Sequence, residues 1–165
     1  MKILIIIGTR PEAIKMAPLV MCLRKNLNVK ICVTGQHKEM LDQVLELFQF
    51  TPDYNLNLMK PNQNLSNITG KILNGVSQIL NQEKFDWVLV QGDTTSTMAG
   101  AMAAFYQKVP VGHVEAGLRT YNLSSPFPEE MNRLVTSKLS QLHFAPTIKS
   151  KQNLLKEGYS EKTII

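Results

Sequence analysis

Cysteine is scarce in this chain. Cys22 and Cys32 are the only two, and they offer neither a disulfide framework nor metal-ligand spacing. Cys22 falls in a helical pattern and Cys32 in a strand pattern, so both are expected to be small buried hydrophobes in a reducing cytosol. Long apolar runs are missing as well. No stretch approaches the roughly 20 residues of a membrane span. The N-terminal run Ile3–Ile7 is too short for a signal peptide and is broken by Gly8-Thr9-Arg10-Pro11. A cytoplasmic protein without a membrane partner is expected. Blocks of like charge are absent too. Lys and Arg total 18 against 13 Asp and Glu, a net charge of +5, and the excess is scattered. That argues against nucleic-acid binding and is compatible with an anionic ligand. There is no P-loop and no G-x-G-x-x-G fingerprint. His113-x-Glu115 faintly resembles a zinc-deaminase motif, but no Pro-Cys-x-x-Cys follows it. No metal site is expected.

What the chain does contain is regular alternation. Ile3–Ile7 is a β-branched run, the mark of a strand covered on both faces. Thr9-x-x-Glu12 fits a capping box, with Pro11 in the first turn of a helix running to about Asn26. Strands are expected at Val29–Thr34, near Tyr54–Leu58, at Trp87–Val90, Val109–Val114 and Leu142–Ala145, and from Thr163 onwards. Helices are expected at Lys38–Phe48, Leu65–Gln82, Thr95–Gln107, Pro128–Leu139 and Thr147–Lys156. Such alternation predicts a Rossmann-like three-layer α/β/α fold with a mostly parallel sheet. The 165 residues suffice for one domain. A chain that stops at Thr163-Ile164-Ile165, inside a new strand, reads as a piece of something longer.

The stretch from Phe85 to Arg133 concentrates the chemistry. Two buried-type strands each end near a carboxylate, Asp93 and Glu115, and a proline-led helix start offers Glu129 and Glu130. In an open parallel sheet, ligands sit outside the carboxyl ends of the strands. If the fourth and fifth strands are neighbours, about 4.8 Å apart, Asp93 and Glu115 face one crevice, where one carboxyl can serve as acid and the other as base. Simpler roles compete: Asp93 as a helix N-cap, Glu115 as a surface partner of Arg119, and Glu129 and Glu130 as acids favoured by the helix dipole. Arg133, one turn on, pairs with either glutamate or faces the site. Gly8 to Lys15 joins the first strand to a helix, where free N–H groups favour anions. Arg10 adds a planar donor fork there and Lys15 a point charge. The ordinary alternative is a solvated pair of cations. Gln36-His37 opens a helix after a strand.

Taken together, these segments resemble the bacterial non-hydrolysing UDP-N-acetylglucosamine 2-epimerases. The matching stretches are Gly8-Thr-Arg-Pro-Glu-Ala-Ile-Lys-Met-Ala-Pro18, Gln36-His37 with Met40-Leu-Asp-Gln-Val44, and Gln91-Gly-Asp-Thr-Thr95. Further along come Pro110-Val-Gly-His-Val-Glu-Ala-Gly-Leu-Arg-Thr120, Ser125-Pro-Phe-Pro-Glu-Glu-Met-Asn-Arg133 and His143-Phe-Ala-Pro146. The resemblance implies a GT-B architecture of two Rossmann-like domains, of which residues 1–165 look like the first, with the second absent. It implies interconversion of UDP-GlcNAc and UDP-ManNAc through elimination of UDP to 2-acetamidoglucal and re-addition, with no cofactor. Asp93, Glu115 and Glu129 then match catalytic acids, and Arg10, Lys15 and Arg133 match substrate-binding residues. Gln36, His37 and Lys71 match a site for a UDP-GlcNAc activator, and a homodimer is implied for the longer protein. Relatives often carry Arg where Lys71 stands, and lysine loses the bidentate fork.

The missing second domain would hold most contacts to the nucleotide and a catalytic histidine, so the isolated chain is expected to be inactive. Three other functions stay open at this level. They are a hydrolysing epimerase releasing ManNAc and UDP, a GT-B glycosyltransferase, and a non-catalytic nucleotide-sugar-binding module.

Overall fold

A computed structural model describes residues 1–35, 46–58 and 63–165. Six strands form one sheet: β1 (Lys2–Ile7), β2 (Asn28–Val33), β3 (Tyr54–Asn55), β4 (Trp87–Gln91), β5 (Val111–Val114) and β6 (Leu142–Phe144). The helices are α1 (Arg10–Leu23), α2 (Leu65–Gln82), α3 (Thr95–Tyr106), α4 (Glu129–Leu139) and α5 (Ile148–Lys156). The strand order is β3-β2-β1-β4-β5-β6, and every pairing is parallel.

The β-branched run of β1 is buried from both sides, as its composition predicts. Ile3, Ile5 and Ile7 pack with Ala13, Met16 and Val20 of α1. Leu4 and Ile6 point the other way, onto Ile72 and Val76 of α2 and Ala99 and Ala103 of α3. Period-two alternation in the strand thus divides one sheet into two cores. The chain runs outward from β1 to β3, then jumps back across β1 to β4. The order therefore reverses between β1 and β4, and the crevice at their carboxyl ends is the expected ligand position of a doubly wound sheet.

Two turns meet at that reversal. Gly8 ends β1 so close to α3 that a Cβ there would lie 2.3 Å from Ser96 Oγ, a distance only glycine permits. Gly92 ends β4 with φ +76°, a left-handed conformation that glycine adopts without strain.

Several boundaries differ from expectation. β3 is a two-residue strand rather than Tyr54–Leu58, because Asn57 turns to φ 48°. β5 begins at Val111 rather than Val109, since Pro110 has no N–H for the ladder and Lys108 sits at φ 58°. Thr163 closes a 3-10 turn, Glu161–Thr163, and Ile164 then makes one parallel bridge to His143 where a strand was expected. Cys32 is buried but Cys22 is exposed, because the buried stripe of α1 runs through Ala13, Met16, Ala17 and Val20 and Cys22 lies across the helix from it. The helix expected at Lys38–Phe48 falls largely outside the described residues. Among the described residues, no helix is long and apolar enough to cross a membrane.

Candidate active site

A cleft of about 540 Å³ opens at the reversal point. Thr9, Arg10, Pro11, Glu12 and Lys15 line one side, and Gln91, Gly92, Asp93, Thr94 and Glu115 the other. Each residue arrives through a strand end or the helix turn that follows it. Asp93 and Glu115 therefore share one crevice, as the adjacency of β4 and β5 requires.

Asp93 is not the cap of α3. Thr94 takes that place, accepting from the Thr97 N–H at 3.2 Å. Released from capping, the Asp93 carboxylate turns to Arg133, whose Nη2 and Nε donate to Oδ2 at 2.7 and 3.0 Å. Asn132 Nδ2 donates to the Asp93 backbone carbonyl at 2.9 Å. Arg133 is held from behind by Glu130, with Nη1 donating at 2.9 Å. Glu130 is 0% exposed and also accepts from the Thr120 and Tyr121 N–H groups, each at 2.9 Å. Burial pushes the Glu130 carboxyl up, but those two amides and Arg133 outweigh it and hold it below the ordinary 4.5. Of the two adjacent glutamates, Glu130 is thus the one built into the support of Asp93. Spacing alone does not single it out, since Glu129 at i, i+4 and Glu130 at i, i+3 are both in reach of Arg133. Glu129 is half-buried at the head of α4 and lies outside the residues lining the cleft.

Glu115 is held differently. Its φ is 66°, a region that costs a non-glycine residue about 1 kcal/mol or more and recurs at functional positions. Lys15 Nζ donates to both of its oxygens, at 2.9 and 2.7 Å, and Gln91 Nε2 donates to Oε2. The expected pairing with Arg119 does not form. Arg119 is fully enclosed and donates through Nε and Nη2 to the two oxygens of Glu157, at 2.7 and 2.9 Å. Lys15 therefore spends its charge on Glu115 across the strand-order reversal. Arg10 is exposed on the rim and has no ion-pair partner among the described residues.

Two contributors escaped sequence reasoning. His113, dismissed there as a metal ligand, is 0% exposed, and its Nε2–H donates to the Gly92 carbonyl at 2.7 Å. Burial lowers its pKa to about 4, so it is a neutral prop behind Asp93; no signal beyond the His-x-Glu spacing pointed to it. Glu12, read there as half of a capping box, is 3% exposed and accepts from the Thr94 hydroxyl at 2.6 Å and from the Gly8 N–H and, at 3.2 Å, the Thr9 N–H. The free N–H groups expected at the start of α1 are, at these two positions, occupied. Lys71 lies half-buried on α2, away from the cleft lining. Gln36 and His37 fall outside the described residues. Among the described residues, no cluster of His, Cys, Asp and Glu could hold a metal ion.

The family model described as UDP-N-acetylglucosamine 2-epimerase matches residues 21–165. The chain belongs to the UDP-N-acetylglucosamine 2-epimerase family. A UDP-N-acetylglucosamine 2-epimerase of Neisseria meningitidis is 60% identical over 100% of the chain, and one of Escherichia coli K12 is 58% identical over 99%. A crystal structure of the Neisseria meningitidis epimerase bound to UDP-GlcNAc superposes with a TM-score of 0.97 at 59% identity, covering all of this chain. The Methanocaldococcus jannaschii epimerase in complex with UDP-GlcNAc and UDP matches at 0.94 and 42% identity, also over all of this chain. The chain spans 45% and 44% of the two curated epimerases and 45% and 46% of the two crystallised chains. The three-layer α/β fold of the family's solved structures is thereby shared along the chain.

Proposed function

We propose that the cleft is one wall of the active site of a non-hydrolysing UDP-GlcNAc 2-epimerase, and that residues 1–165 are the first domain of a GT-B protein. The observation that carries this reading is the placement of Asp93 and Glu115 in one crevice, each braced by a cation, at the sheet's reversal point. A carboxylate positioned there takes the weakly acidic proton from C2 of UDP-GlcNAc. The C2–H electron pair becomes the C1=C2 double bond of 2-acetamidoglucal as the C1–O bond breaks, and UDP leaves with that bonding pair. Re-addition of UDP to C1, with a proton delivered to the opposite face of C2, gives UDP-ManNAc. Arg10, which has no ion-pair partner among the described residues, suits the departing diphosphate.

Lys15 and Arg133 enter this scheme first as holders of Glu115 and Asp93. Sequence similarity alone would have them bind substrate directly. Glu129 lies outside the cleft lining, and its catalytic role belongs to this proposal on motif similarity. Effector binding at Gln36, His37 and Lys71 belongs to the same proposal and rests on motif similarity.

The test is hydrogen exchange at C2 in D₂O by the two-domain protein containing this chain. Deuterium should enter both UDP-GlcNAc and UDP-ManNAc, without accumulation of free ManNAc. Retention of the C2 hydrogen, or free ManNAc as the main product, would reject the proposal.

A further inference from the structure

The turn after the first strand of a Rossmann-like sheet ordinarily presents its N–H groups to a ligand phosphate, with the helix dipole behind them. In this chain the carboxyl group of Glu12 already stands there. Glu12 Oε2 accepts from the Gly8 N–H and, at 3.2 Å, from the Thr9 N–H. Glu12 Oε1 accepts from the Thr94 hydroxyl at 2.6 Å. We infer that Glu12 is a built-in occupant of this anion niche, a positioning residue that fastens the β1–α1 turn to Thr94 and keeps ligand phosphate off the Gly8 and Thr9 amides.

Three features hold the carboxyl in place. Its exposure is 3%, so displacing it would require moving a whole side chain out of a packed wall. Thr94 cannot follow it outward, because the same hydroxyl oxygen caps α3 by accepting from the Thr97 N–H at 3.2 Å. On the far side the niche is closed by α3, since even a Cβ on Gly8 would meet Ser96 at 2.3 Å. Removing the carboxyl would leave the Gly8 and Thr9 amides without this partner, which is unfavourable for buried donors. The consequence is a division of labour. The Gly8 and Thr9 amides, which in other such turns can face a phosphate, are withdrawn from recognition. On this wall the contacts to the diphosphate of a nucleotide ligand then fall to other groups, the Arg10 side chain first among them.

The test uses this chain and inorganic phosphate, with amide chemical shifts as the readout. In the wild-type chain, phosphate should leave the Gly8 and Thr9 amides unmoved. In Glu12→Ala those two amides should shift on titration, with phosphate binding there at least tenfold tighter than in wild type. A second variant, Glu12→Asp, is one methylene too short to reach both amides and should open the niche in the same sense if the alanine variant does not fold. Wild-type amides that respond to phosphate as the variants do, or folded variants that gain no response, would overturn the inference. None of these outcomes involves turnover, so the result stands apart from the epimerase proposal.

Discussion

Glu12 and Glu115 show how differently two carboxyls can be managed around one cleft. Glu115 keeps a cation and partial solvent contact, whereas Glu12 is sealed in. Burial raises the Glu12 pKa above the ordinary 4.5, with the Asp93 charge adding to it and the Thr94, Gly8 and Thr9 donors only partly offsetting it. A raised pKa in the folded state means the stabilising form is the protonated one. Its contribution is present below the unfolded value near 4.5 and is lost as pH rises through the higher folded value. Glu12→Gln removes that titration. Relative to this variant, the wild-type chain should be at its best near pH 4 and lose ground toward neutrality, as thermal melts of the two at several pH values would show. A difference independent of pH would show that burial does not govern this carboxyl. For the reaction, Asp93→Asn and Glu115→Gln in the two-domain protein should each slow C2 exchange by about 10²-fold or more, the usual scale for a positioned acid or base. Normal exchange in both would remove them from the catalytic assignment.

Helix α3 ties the site to the core. Its N-cap, Thr94, accepts from Thr97, donates to Glu12 and follows Asp93 directly. Thr94→Ala removes a cap and leaves a buried acceptor unpaired, so it should lower stability by about 2 kcal/mol, read as a shift of the urea midpoint without a change of slope. Thr94→Ser should recover most of it. At the far end of the same packing, Ile72→Ala on α2, at 0% exposure, should cost about 2–5 kcal/mol. The elements themselves were legible because their signals are strong and local. The run Ile3–Ile7 reads as a doubly covered strand, and the 3.6-residue spacing from Ile68 to Leu80 reads as α2. Partner choice was not legible. Asp before Thr-Thr-Ser-Thr looks like a cap by propensity, yet the neighbouring Thr94 caps and Asp93 is drawn to an arginine 40 residues away. Glu115 and Arg119 look like local partners, yet each pairs across the fold. Such choices depend on which strand ends the topology brings together, and periodicity carries no information about that. Glu12 was hidden for the opposite reason: a purely local role, the capping box, explained its position too well.

At the scale of the whole molecule, the sheet order 3-2-1-4-5-6 puts one βα turn from each half of the fold on either side of the cleft. The Lys15–Glu115 pair, the Glu12–Thr94 bond and the Thr34–Ser96 contact at 3.1 Å stitch the halves together. These 165 residues should therefore fold as a unit, while the proposed second domain would supply the facing wall of the site. Proximity lowers a barrier only when both sides of a site hold the substrate, so the chain alone should show little or no epimerisation. Turnover by it close to that of a two-domain relative would contradict this.

The ion pairs that brace the cleft have a further effect, on ionic strength. Both candidate catalytic carboxylates are already neutralised internally, Glu115 by Lys15 and Asp93 by Arg133. Apart from Arg10, which has no ion-pair partner among the described residues, an incoming nucleotide diphosphate therefore meets cations already paired with carboxylates. It competes with carboxylates for them, and salt that screens the new contact weakens the old one by a similar amount. Affinity of the two-domain protein for UDP-GlcNAc should accordingly change by less than about threefold between dilute buffer and half-molar salt, although exposed charge pairs are largely screened over that range. Calorimetry across the salt series would reveal a steep dependence if the cations were instead held open for the ligand.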